Sequence, residues 1–423
     1  MPLPSRRPGA LSTSAVAASA LIAGAGSYIL LILVAKNVSA TGYADFAAFW
    51  SIAVTVGLGV YFPVEQETAR DFSGRPAAPR SGLRRISFGF AAVITVVLLV
   101  ASICLAFVPQ AVAFVGSPAL LGSLGIAVLG YLVQFPTRGL LSGAHRTSSY
   151  AATIGTEGVL RIVLPAAVAL SGGTEPALYA LTVGVAAALS VVPAVIAKDR
   201  AWLRTPDARF GLFSSRAARL IVAALTIQLL LNSGVLIARS LDAQDQALAG
   251  QILTCLSIAR IPVFAYQAGQ VLYMPRVAAA WKAGDVGQVR RIVAATTLGV
   301  AGVGVIAVVG MALLGPWVIG LFFSPELVLP TGPLIVLTAG VSLFLLAQVL
   351  SDATLATGGH SVLLTGWIAG LAAAVVTLLL VGDPVYRAVL PLGVGSVVAS
   401  AIFTTALLRR VRPGVPHPLE RHL

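Results

Sequence analysis

A few charged side chains lie inside long uncharged stretches of this sequence. Glu157 and Arg161 are four positions apart, so in a helix they share one face and can neutralise each other, and Arg138 can share the acid. Arg260 has no acidic residue three or four positions away. A guanidinium in an apolar setting can hold an anionic group through charge-assisted hydrogen bonds. These four residues and Arg70 are therefore candidate substrate-binding residues.

Each of these candidates also has a purely structural interpretation. Glu157 and Arg161 can form a local ion pair that needs no ligand. Arg260 can be tied to carbonyl groups of a neighbouring helix, which lowers the cost of about 2.5–3.5 kcal/mol for a charge at the centre of a membrane helix. Arg70 can be a solvated residue at a helix end. The sequence leaves both interpretations open.

A second set of charged residues lies at the ends of apolar runs. Lys36 closes the first apolar run, Asp45 opens the second and Arg239 closes the seventh. Glu65 and Glu67 follow the other end of the second run. Salt bridges that open and close would make them gate or coupling residues. Interfacial snorkelling of the long side chains and solvated helix caps are the alternatives.

No catalytic motif is evident in the chain. A Walker phosphate loop, HExxH, CxxC and a convincing GxSxG are all missing, and the histidines are scattered. Cys104 and Cys255 lie in apolar runs, so we expect two buried thiols rather than a disulfide or a metal site. The sequence predicts a protein that is not an enzyme and that has no cofactor and no bound metal.

Composition places the chain in a membrane. Hydrophobic residues make up 58% of 423, charged residues only 10%, and mean hydropathy is +0.94. A soluble protein carries about 25% charged residues. At about 20 residues a span, the length predicts about twelve membrane helices. The predicted spans are 13–35, 45–64, 86–108, 118–141, 149–170, 176–197, 218–239, 247–273, 292–315, 328–351, 361–381 and 388–408.

The basic residues predict the orientation of these spans. Most of the 28 Lys and Arg residues fall in the two tails and the even-numbered connections. Only Lys36, Arg239 and Arg387 fall on the other side, and Arg161 and Arg260 lie inside spans. By the positive-inside rule, both ends are in the cytoplasm of a multi-pass protein of the cell inner (plasma) membrane. Because the charge of +13 is explained by the membrane, nucleic acid is not expected as a partner.

A weak internal repeat divides the chain into two halves. Lys36 in the first half corresponds to Arg239 in the second, 203 positions later, and Arg70 corresponds to Arg276, 206 positions later. Two six-helix halves in the same orientation are a common transporter plan. The predicted fold is an all-α polytopic membrane protein with two six-helix lobes. The predicted domains are an N-terminal lobe (1–198), a cytoplasmic linker (199–217), a C-terminal lobe (218–410) and a cytoplasmic tail (411–423).

Several residues within the spans have structural explanations. Gln228 and Asn232 are one helical turn apart, and amides at such positions usually form hydrogen bonds between helices. Trp50 is close to the end of a predicted span and fits an anchor at the membrane–water interface.

The first seventy residues resemble a known family. The segment 33–52, Leu-Val-Ala-Lys-Asn-Val-Ser-Ala-Thr-Gly-Tyr-Ala-Asp-Phe-Ala-Ala-Phe-Trp-Ser-Ile, resembles the opening of Wzx-type polysaccharide flippases, with Gly57-Leu58-Gly59 at the end of span two and a polar stretch over 65–70. Those flippases belong to the multidrug/oligosaccharidyl-lipid/polysaccharide exporter superfamily. Where the family has Arg and Leu-Gly, this chain has Lys36 and Val38-Ser39.

This resemblance implies a function. Members of the family flip a polyprenyl-diphosphate-linked oligosaccharide from the cytoplasmic to the outer leaflet, by alternating access, for cell-surface polysaccharide synthesis. The implied partners are the lipid bilayer, the anionic lipid-linked glycan and a polysaccharide polymerase or glycosyltransferases. In relatives that flip the peptidoglycan precursor, cationic residues in spans one, two and eight line the central cavity. Arg260 falls in the corresponding span eight, but span one has only Lys36, at its outer end, so that substrate is not assigned.

Three other functions stay open. A drug/cation antiporter of the same superfamily would need an acid deep in a lobe that lacks a cationic partner, and Glu157 is the only candidate in the sequence. A major-facilitator small-solute transporter is suggested by Asp71-Phe72-Ser73-Gly74-Arg75, which matches half of that family's loop motif. A membrane-embedded glycosyl- or acyltransferase would need clusters of acids or histidines at a membrane face, and the sequence has none that we recognise.

Overall fold

The computed structural model describes residues 10–73, 82–197, 208–241 and 247–411, and within these ranges every regular element is a helix. Residues 199–207 of the predicted linker, nearly all of the predicted tail and the Gly74-Arg75 part of the loop motif lie outside the described residues, and the rest of the linker, from Phe210, belongs to a helix. Contacts divide the chain into two compact units, Met1–Gln228 and Leu229–Leu423. The predicted lobe boundaries at 198 and 218 stay a prediction.

Unit 1 contains nine helices and the first part of a tenth, counted over the described ranges. They are α1 (Ala10–Asn37), α2 (Ala40–Val56), a π-helical segment (Gly57–Tyr61), α3 (Phe62–Ser73), α4 (Gly82–Ala106), α5 (Pro109–Val115), α6 (Pro118–Gly143), α7 (Thr147–Leu170), α8 (Pro176–Leu189) and α9 (Val192–Ile196).

Unit 2 begins inside α10 (Phe210–Ser240), because the division between the units follows Gln228. The helices that follow are α11 (Leu248–Ala259), α12 (Ile261–Lys282), α13 (Val286–Phe322), α14 (Thr331–Ala356), α15 (His360–Leu380) and α16 (Pro384–Arg410), with a 3₁₀ turn at Pro325–Leu327.

Eleven of the described helices are long and apolar enough to cross a membrane, and the count is twelve if the bent pair α11 and α12 forms one span. The predicted all-α polytopic fold is therefore confirmed. The location of both termini in the cytoplasm stays a prediction.

Two predicted breaks in long apolar stretches are present. The long uncharged run that begins at Ile86 is divided, because α4 ends at Ala106 and α6 begins at Pro118. Between α14 and α15, Gly358 has φ 83°, a backbone conformation that glycine adopts at little cost in free energy because it has no Cβ. The Gly359 N–H donates to Thr354 O at 2.8 Å and so satisfies a carbonyl at the end of α14.

The second span of each unit is irregular in the middle. In unit 1, the segment Gly57–Tyr61 between α2 and α3 is π-helical. In unit 2, α11 and α12 meet at Arg260 with a bend of 43°, where Pro262 removes a backbone donor. Gly57 and Arg260 are separated by the same number of residues as Lys36 and Arg239. Such interruptions are frequent at functional sites, and here they support the internal repeat.

Glycine allows helices to pack closely within each unit. In unit 1, α1 crosses α7 where Gly26 faces Gly158, and a Cβ added to Gly26 would overlap the carbonyl of Gly158. In unit 2, a Cβ on Gly370 of α15 would lie 2.7 Å from the carbonyl oxygen of Gly395 on α16. Small residues at such crossings let backbones approach each other in a lipid environment.

We expect Gly26→Leu to destabilise unit 1 by about 1–3 kcal/mol, because α1 must move away from α7. Gly24→Leu is the matched control on the same helix, since nothing lies within 4 Å of a Cβ added there. Thermal unfolding in detergent measures both. Equal stability of the two variants would contradict the close crossing.

Candidate functional site

Three of the predicted binding residues form one ion-pair network in unit 1, which we call the α7 charge network: Arg138, Glu157 and Arg161. Glu157 Oε2 lies 2.6 Å from Arg138 Nη2, and Glu157 Oε1 lies 2.6 Å from Arg161 Nη2. Arg138 comes from α6, and the other two are one turn apart on α7. Their side chains are 10%, 7% and 17% exposed, in chain order.

Helix α1 and helix α2 complete the surroundings of Arg161. Its Nη1 donates to Ser27 Oγ at 2.8 Å, next to the Gly26 crossing. Its Cζ lies 5.7 Å from the ring centroid of Trp50, within the range of a cation–π interaction. Trp50 is buried, so its predicted role as an interfacial anchor is wrong. The aromatic ring packs on a charge inside the unit instead.

The α7 charge network has an excess of guanidinium groups. Two cations share the Glu157 carboxylate through direct ion pairs, and Glu65 lies within electrostatic reach of Arg138 without forming an ion pair. The Nε atoms of Arg138 and Arg161 are buried and have no hydrogen-bond acceptor among the described residues. Because an orphaned buried donor is costly, two such donors on guanidinium groups are suited to an anionic ligand.

Glu65 lies close to this network but has a different partner. It is on α3, only 4% exposed, and its Oε1 accepts a hydrogen bond of 2.9 Å from Tyr150 Oη on α7. The interpretation of Glu65 as a solvated helix cap is therefore wrong. Its role as a gate or coupling residue stays a prediction, and Tyr150 is a partner that sequence reasoning missed.

Glu67 and Arg70 belong to a second group, the α3 charge cluster, with Asp71 and Arg216. Arg216 Nη1 lies 3.6 Å from Glu67 Oε1 and 3.5 Å from Asp71 Oδ1, and Arg70 Nη1 lies 3.5 Å from Glu67 Oε2. Glu67 is fully buried, against its interpretation as a solvated cap, whereas the Arg70 side chain is 64% exposed. The structure places Arg70 with this cluster and not with the α7 charge network.

Arg260 is the predicted binding residue of unit 2. It is buried at the bend between α11 and α12, and its Nη2 donates to Leu231 O and to Asn232 Oδ1, both at 2.9 Å. The expected interhelical hydrogen bond of Asn232 is thus confirmed. The sequence interpretation placed Arg260 near the middle of a continuous membrane helix. This is corrected, because the helix is interrupted at Arg260.

The remaining predicted gate residues lie at helix ends. Lys36 is exposed in the last turn of α1, and Arg239 is half-buried in the last turn of α10. Asp45 is half-buried in the first turns of α2 and packs against Gly116. Their gating role stays a prediction.

Unit 2 contains a buried acid that the sequence interpretation missed. Asp352 on α14 is 4% exposed, and its Oδ2 accepts hydrogen bonds from Tyr266 Oη at 2.7 Å and from Gln270 Nε2 at 2.8 Å. Its Oδ1 accepts one from Gln348 Nε2 at 3.3 Å. Within the described ranges no salt bridge reaches Asp352, whereas Glu157 has two. The expectation that Glu157 is the only acid without a cationic partner is wrong.

The two cysteines are free, as expected, but only Cys255 is buried, and Cys104 is exposed on α4. The expectation of a second buried thiol is therefore wrong. The described part of the chain has no group of three or more His, Cys, Asp or Glu side chains that could hold a metal ion.

Solved structures with the same arrangement of helices are transporters. An inward-facing multidrug resistance MATE family transporter of the MOP superfamily matches with a TM-score of 0.72 and 13% sequence identity, over 94% of this chain and 98% of that one. The eukaryotic MATE transporter AtDTX14 matches with a TM-score of 0.66, at 16% identity, over 94% and 95% of the two chains. The chain has the MATE fold.

The MATE fold confirms the predicted two-lobed architecture. A point mutant of the Vibrio cholerae MATE transporter VcmN matches over 94% of this chain and 98% of that one, with a TM-score of 0.61 and 16% identity. At these identities the likeness concerns the fold alone.

Similar sequences occur in mycobacteria. The uncharacterized protein Rv1510 of Mycobacterium tuberculosis is 27% identical over 407 residues, which covers 94% of this chain and 92% of that protein. The uncharacterized protein Rv3630 of the same species is 25% identical over 414 residues, with 94% and 92% covered. No protein-family model matches the chain.

Proposed function

We propose that this protein is a membrane transporter of the MOP superfamily that flips a polyprenyl-diphosphate-linked oligosaccharide from the cytoplasmic to the outer leaflet of the plasma membrane. The flipped lipid would serve cell-surface polysaccharide synthesis. The MATE fold supports transport, and the resemblance of segment 33–52 to Wzx-type flippases supports the substrate class. The substrate leaves chemically unchanged, so the protein is not an enzyme under this proposal.

The α7 charge network is the observation that carries the proposal. The guanidiniums of Arg138 and Arg161 share one carboxylate, and each keeps a buried Nε–H that has no acceptor in the described part of the chain. A diphosphate offers several acceptor oxygens, and guanidiniums bind phosphate through paired N–H donors. A cationic drug would meet two guanidinium groups here.

Each network residue has a distinct proposed role. Arg138 and Arg161 bind phosphate oxygens of the substrate, and Glu157 holds the two guanidiniums in place while the site is empty. Trp50 and Ser27 position Arg161 through its ring contact and its hydrogen bond. In unit 2, Arg260 is a further cation, buried at the bend between α11 and α12, in the span where the resemblance implies cationic binding residues.

A drug/cation antiporter is the second candidate, and Asp352 is the observation that favours it. This buried acid has only neutral hydrogen-bond partners, the kind of site that a cation would bind. One of the similar structures is that of a multidrug resistance transporter. Under this alternative, Asp352 binds the exported cation and the α7 charge network is structural.

Purified protein in lipid vesicles tests the two candidates together. We expect wild-type protein to move a fluorescent polyprenyl-diphosphate oligosaccharide between leaflets, as measured by its accessibility to a membrane-impermeant quencher. A polyprenyl glycoside without the diphosphate is the matched control and should stay in its leaflet, because it lacks the anionic group. Transport of a cationic dye without movement of the lipid-linked sugar would favour the antiporter instead.

A further inference from the structure

Helix α12 carries a row of polar side chains that continues from Arg260 toward the C-terminal end of the helix. Gln267 lies two helical turns after Arg260, and Gln270 follows three residues later, so all three lie on one side of the helix. Gln267 is exposed and Gln270 is half-buried. A rise of about 1.5 Å per residue places Gln267 about 10 Å beyond Arg260 along the helix axis.

Helix α14 adds a third glutamine to this row, Gln348, which is also half-buried. Gln270 Nε2 donates to Asp352 Oδ2 at 2.8 Å, and Gln348 Nε2 donates to Asp352 Oδ1 at 3.3 Å. A carboxylate only accepts hydrogen bonds, so each amide must turn its nitrogen toward Asp352 and its Oε1 away from it. Asp352 is therefore a positioning residue, which fixes two amide oxygens in place.

Two tyrosines of α12 hold this part of the helix against α14. Tyr266 Oη donates to Asp352 Oδ2 at 2.7 Å, and Tyr273 Oη donates to Val349 O at 3.3 Å. One tyrosine precedes Gln270 by four residues and the other follows it by three, so the attachment lies on both sides of the glutamine. Side chains that are fixed before a ligand arrives lose less conformational entropy when they bind it.

We propose that Gln267, Gln270 and Gln348 form a glycan-binding surface of unit 2 that recognises hydroxyl groups of the sugars; the inference rests on the proposed function and names the residues that select the glycan. A sugar hydroxyl both donates and accepts hydrogen bonds, and an amide offers both functions. The Oε1 atoms of Gln270 and Gln348 accept from hydroxyl groups. The exposed amide of Gln267 accepts and donates.

Neutral amides suit the sugars better than the other two parts of the proposed substrate. A polyprenyl chain against Gln267 would leave its amide without a hydrogen-bond partner, which is costly away from water. The diphosphate carries charge and is matched better by a guanidinium group. Because the first sugar is joined directly to the diphosphate, a surface for sugars has to lie beside a cation, as Gln267 lies beside Arg260.

The position of the glycan-binding surface along the span fits the loading of a substrate from the cytoplasmic leaflet. The segments that together are apolar enough to cross a membrane, Leu248–Ala259 and Ile261–Gln267, end at the first of the three glutamines. Under the predicted orientation this end of the span is the cytoplasmic one. A glycan that enters from the cytoplasm would therefore meet the glutamines before its diphosphate reaches the bend at Arg260.

Binding to the purified protein in detergent tests the proposal with two probes: the fluorescent polyprenyl-diphosphate oligosaccharide already named, and a fluorescent polyprenyl diphosphate without sugars. We expect wild-type protein to bind the lipid that carries the glycan more tightly. Gln267→Leu should weaken binding of that lipid about 3- to 10-fold, the effect of one lost hydrogen bond, and should leave the affinity for the sugar-free lipid unchanged. Gln288→Leu, which changes an exposed glutamine in the first turn of α13, is the matched control and should bind both lipids as wild type does.

Two further variants separate recognition from folding. Gln267→Asn keeps an amide on a shorter side chain and should restore part of the lost affinity. Asp352→Asn adds an N–H donor where the glutamines now find only acceptors, so at least one of them must turn. We expect that variant to lose preference for the glycan while its affinity for the sugar-free lipid is kept, a result that general destabilisation would not produce.

The outcomes distinguish this inference from the proposed function. Equal affinity of wild-type protein for the two lipids would overturn the glycan-binding surface and leave the diphosphate site standing, and so would an unchanged preference in Gln267→Leu. Binding of neither lipid to wild-type protein would refute the proposed function, and the glycan-binding surface with it.

Discussion

Replacement of Glu157 by glutamine is expected to destabilise unit 1 by about 3–5 kcal/mol and to abolish transport. The change leaves Arg138 and Arg161 buried with no carboxylate between them, and removing one partner of a buried ion pair costs that much. Thermal unfolding in detergent measures the loss. Glu175→Gln is the matched control, because Glu175 is exposed at the start of α8.

A triple variant separates the structural role of the α7 charge network from its role in binding. A buried charge network can often be replaced by apolar residues of similar size at little cost. We therefore expect Arg138→Met with Glu157→Leu and Arg161→Leu to recover most of the stability that Glu157→Gln loses. Transport should stay abolished, because no guanidinium remains for the diphosphate. A stable triple variant with wild-type transport would contradict the binding role.

Replacement of Arg260 by alanine is expected to abolish export of the lipid-linked glycan while the protein stays folded and inserted. The change leaves Leu231 O and Asn232 Oδ1 without this donor, which costs about 1–3 kcal/mol, less than the loss at Glu157. Arg260→Lys keeps the charge but loses the paired donors, so we expect partial export.

Surface glycan in a deletion strain that carries each variant gives the measurement. Arg291→Ala removes an exposed arginine of α13 and is the matched control, for which we expect normal export. Normal surface glycan with Arg260→Ala would remove Arg260 from the site.

Much of the fold could be predicted because its signals are local. Long uncharged runs require a lipid environment, and Pro109 and Pro118 divide the longest run because each begins a new helix, α5 and α6. The ion pair between Glu157 and Arg161 follows from helical spacing alone. The contribution of Arg138 from α6 could be inferred only from its proximity in sequence, and the structure confirms the contact.

The features that sequence reasoning missed depend on contacts between distant segments. Arg216 meets Glu67 and Asp71 across more than a hundred residues, and no local pattern indicates that contact. Asp352 was missed because the predicted span ended one residue before it, which placed it in a loop. Its partners Tyr266 and Gln270 carry no charge, so neither drew attention as part of a site.

The bend at Arg260 shows how one proline changes the meaning of a charged residue. A cation inside a continuous helix would have to face a neighbour across the helix surface. Since Pro262 interrupts the helix, Arg260 instead lies where two helices meet, and its side chain reaches the backbone of α10. Proline after a charged residue in an apolar run is a signal that could have indicated this break.

Deletion of the gene tests the central claim most directly, with the polyprenyl-linked glycans of the inner leaflet as the measured quantity. Because the proposed activity moves the lipid-linked substrate out of that leaflet, we expect one such glycan to accumulate and the corresponding surface polysaccharide to fall. The wild-type gene should reverse both changes, and the Arg260→Ala gene should reverse neither. Unchanged lipid-linked glycans together with altered sensitivity to cationic drugs would contradict the account.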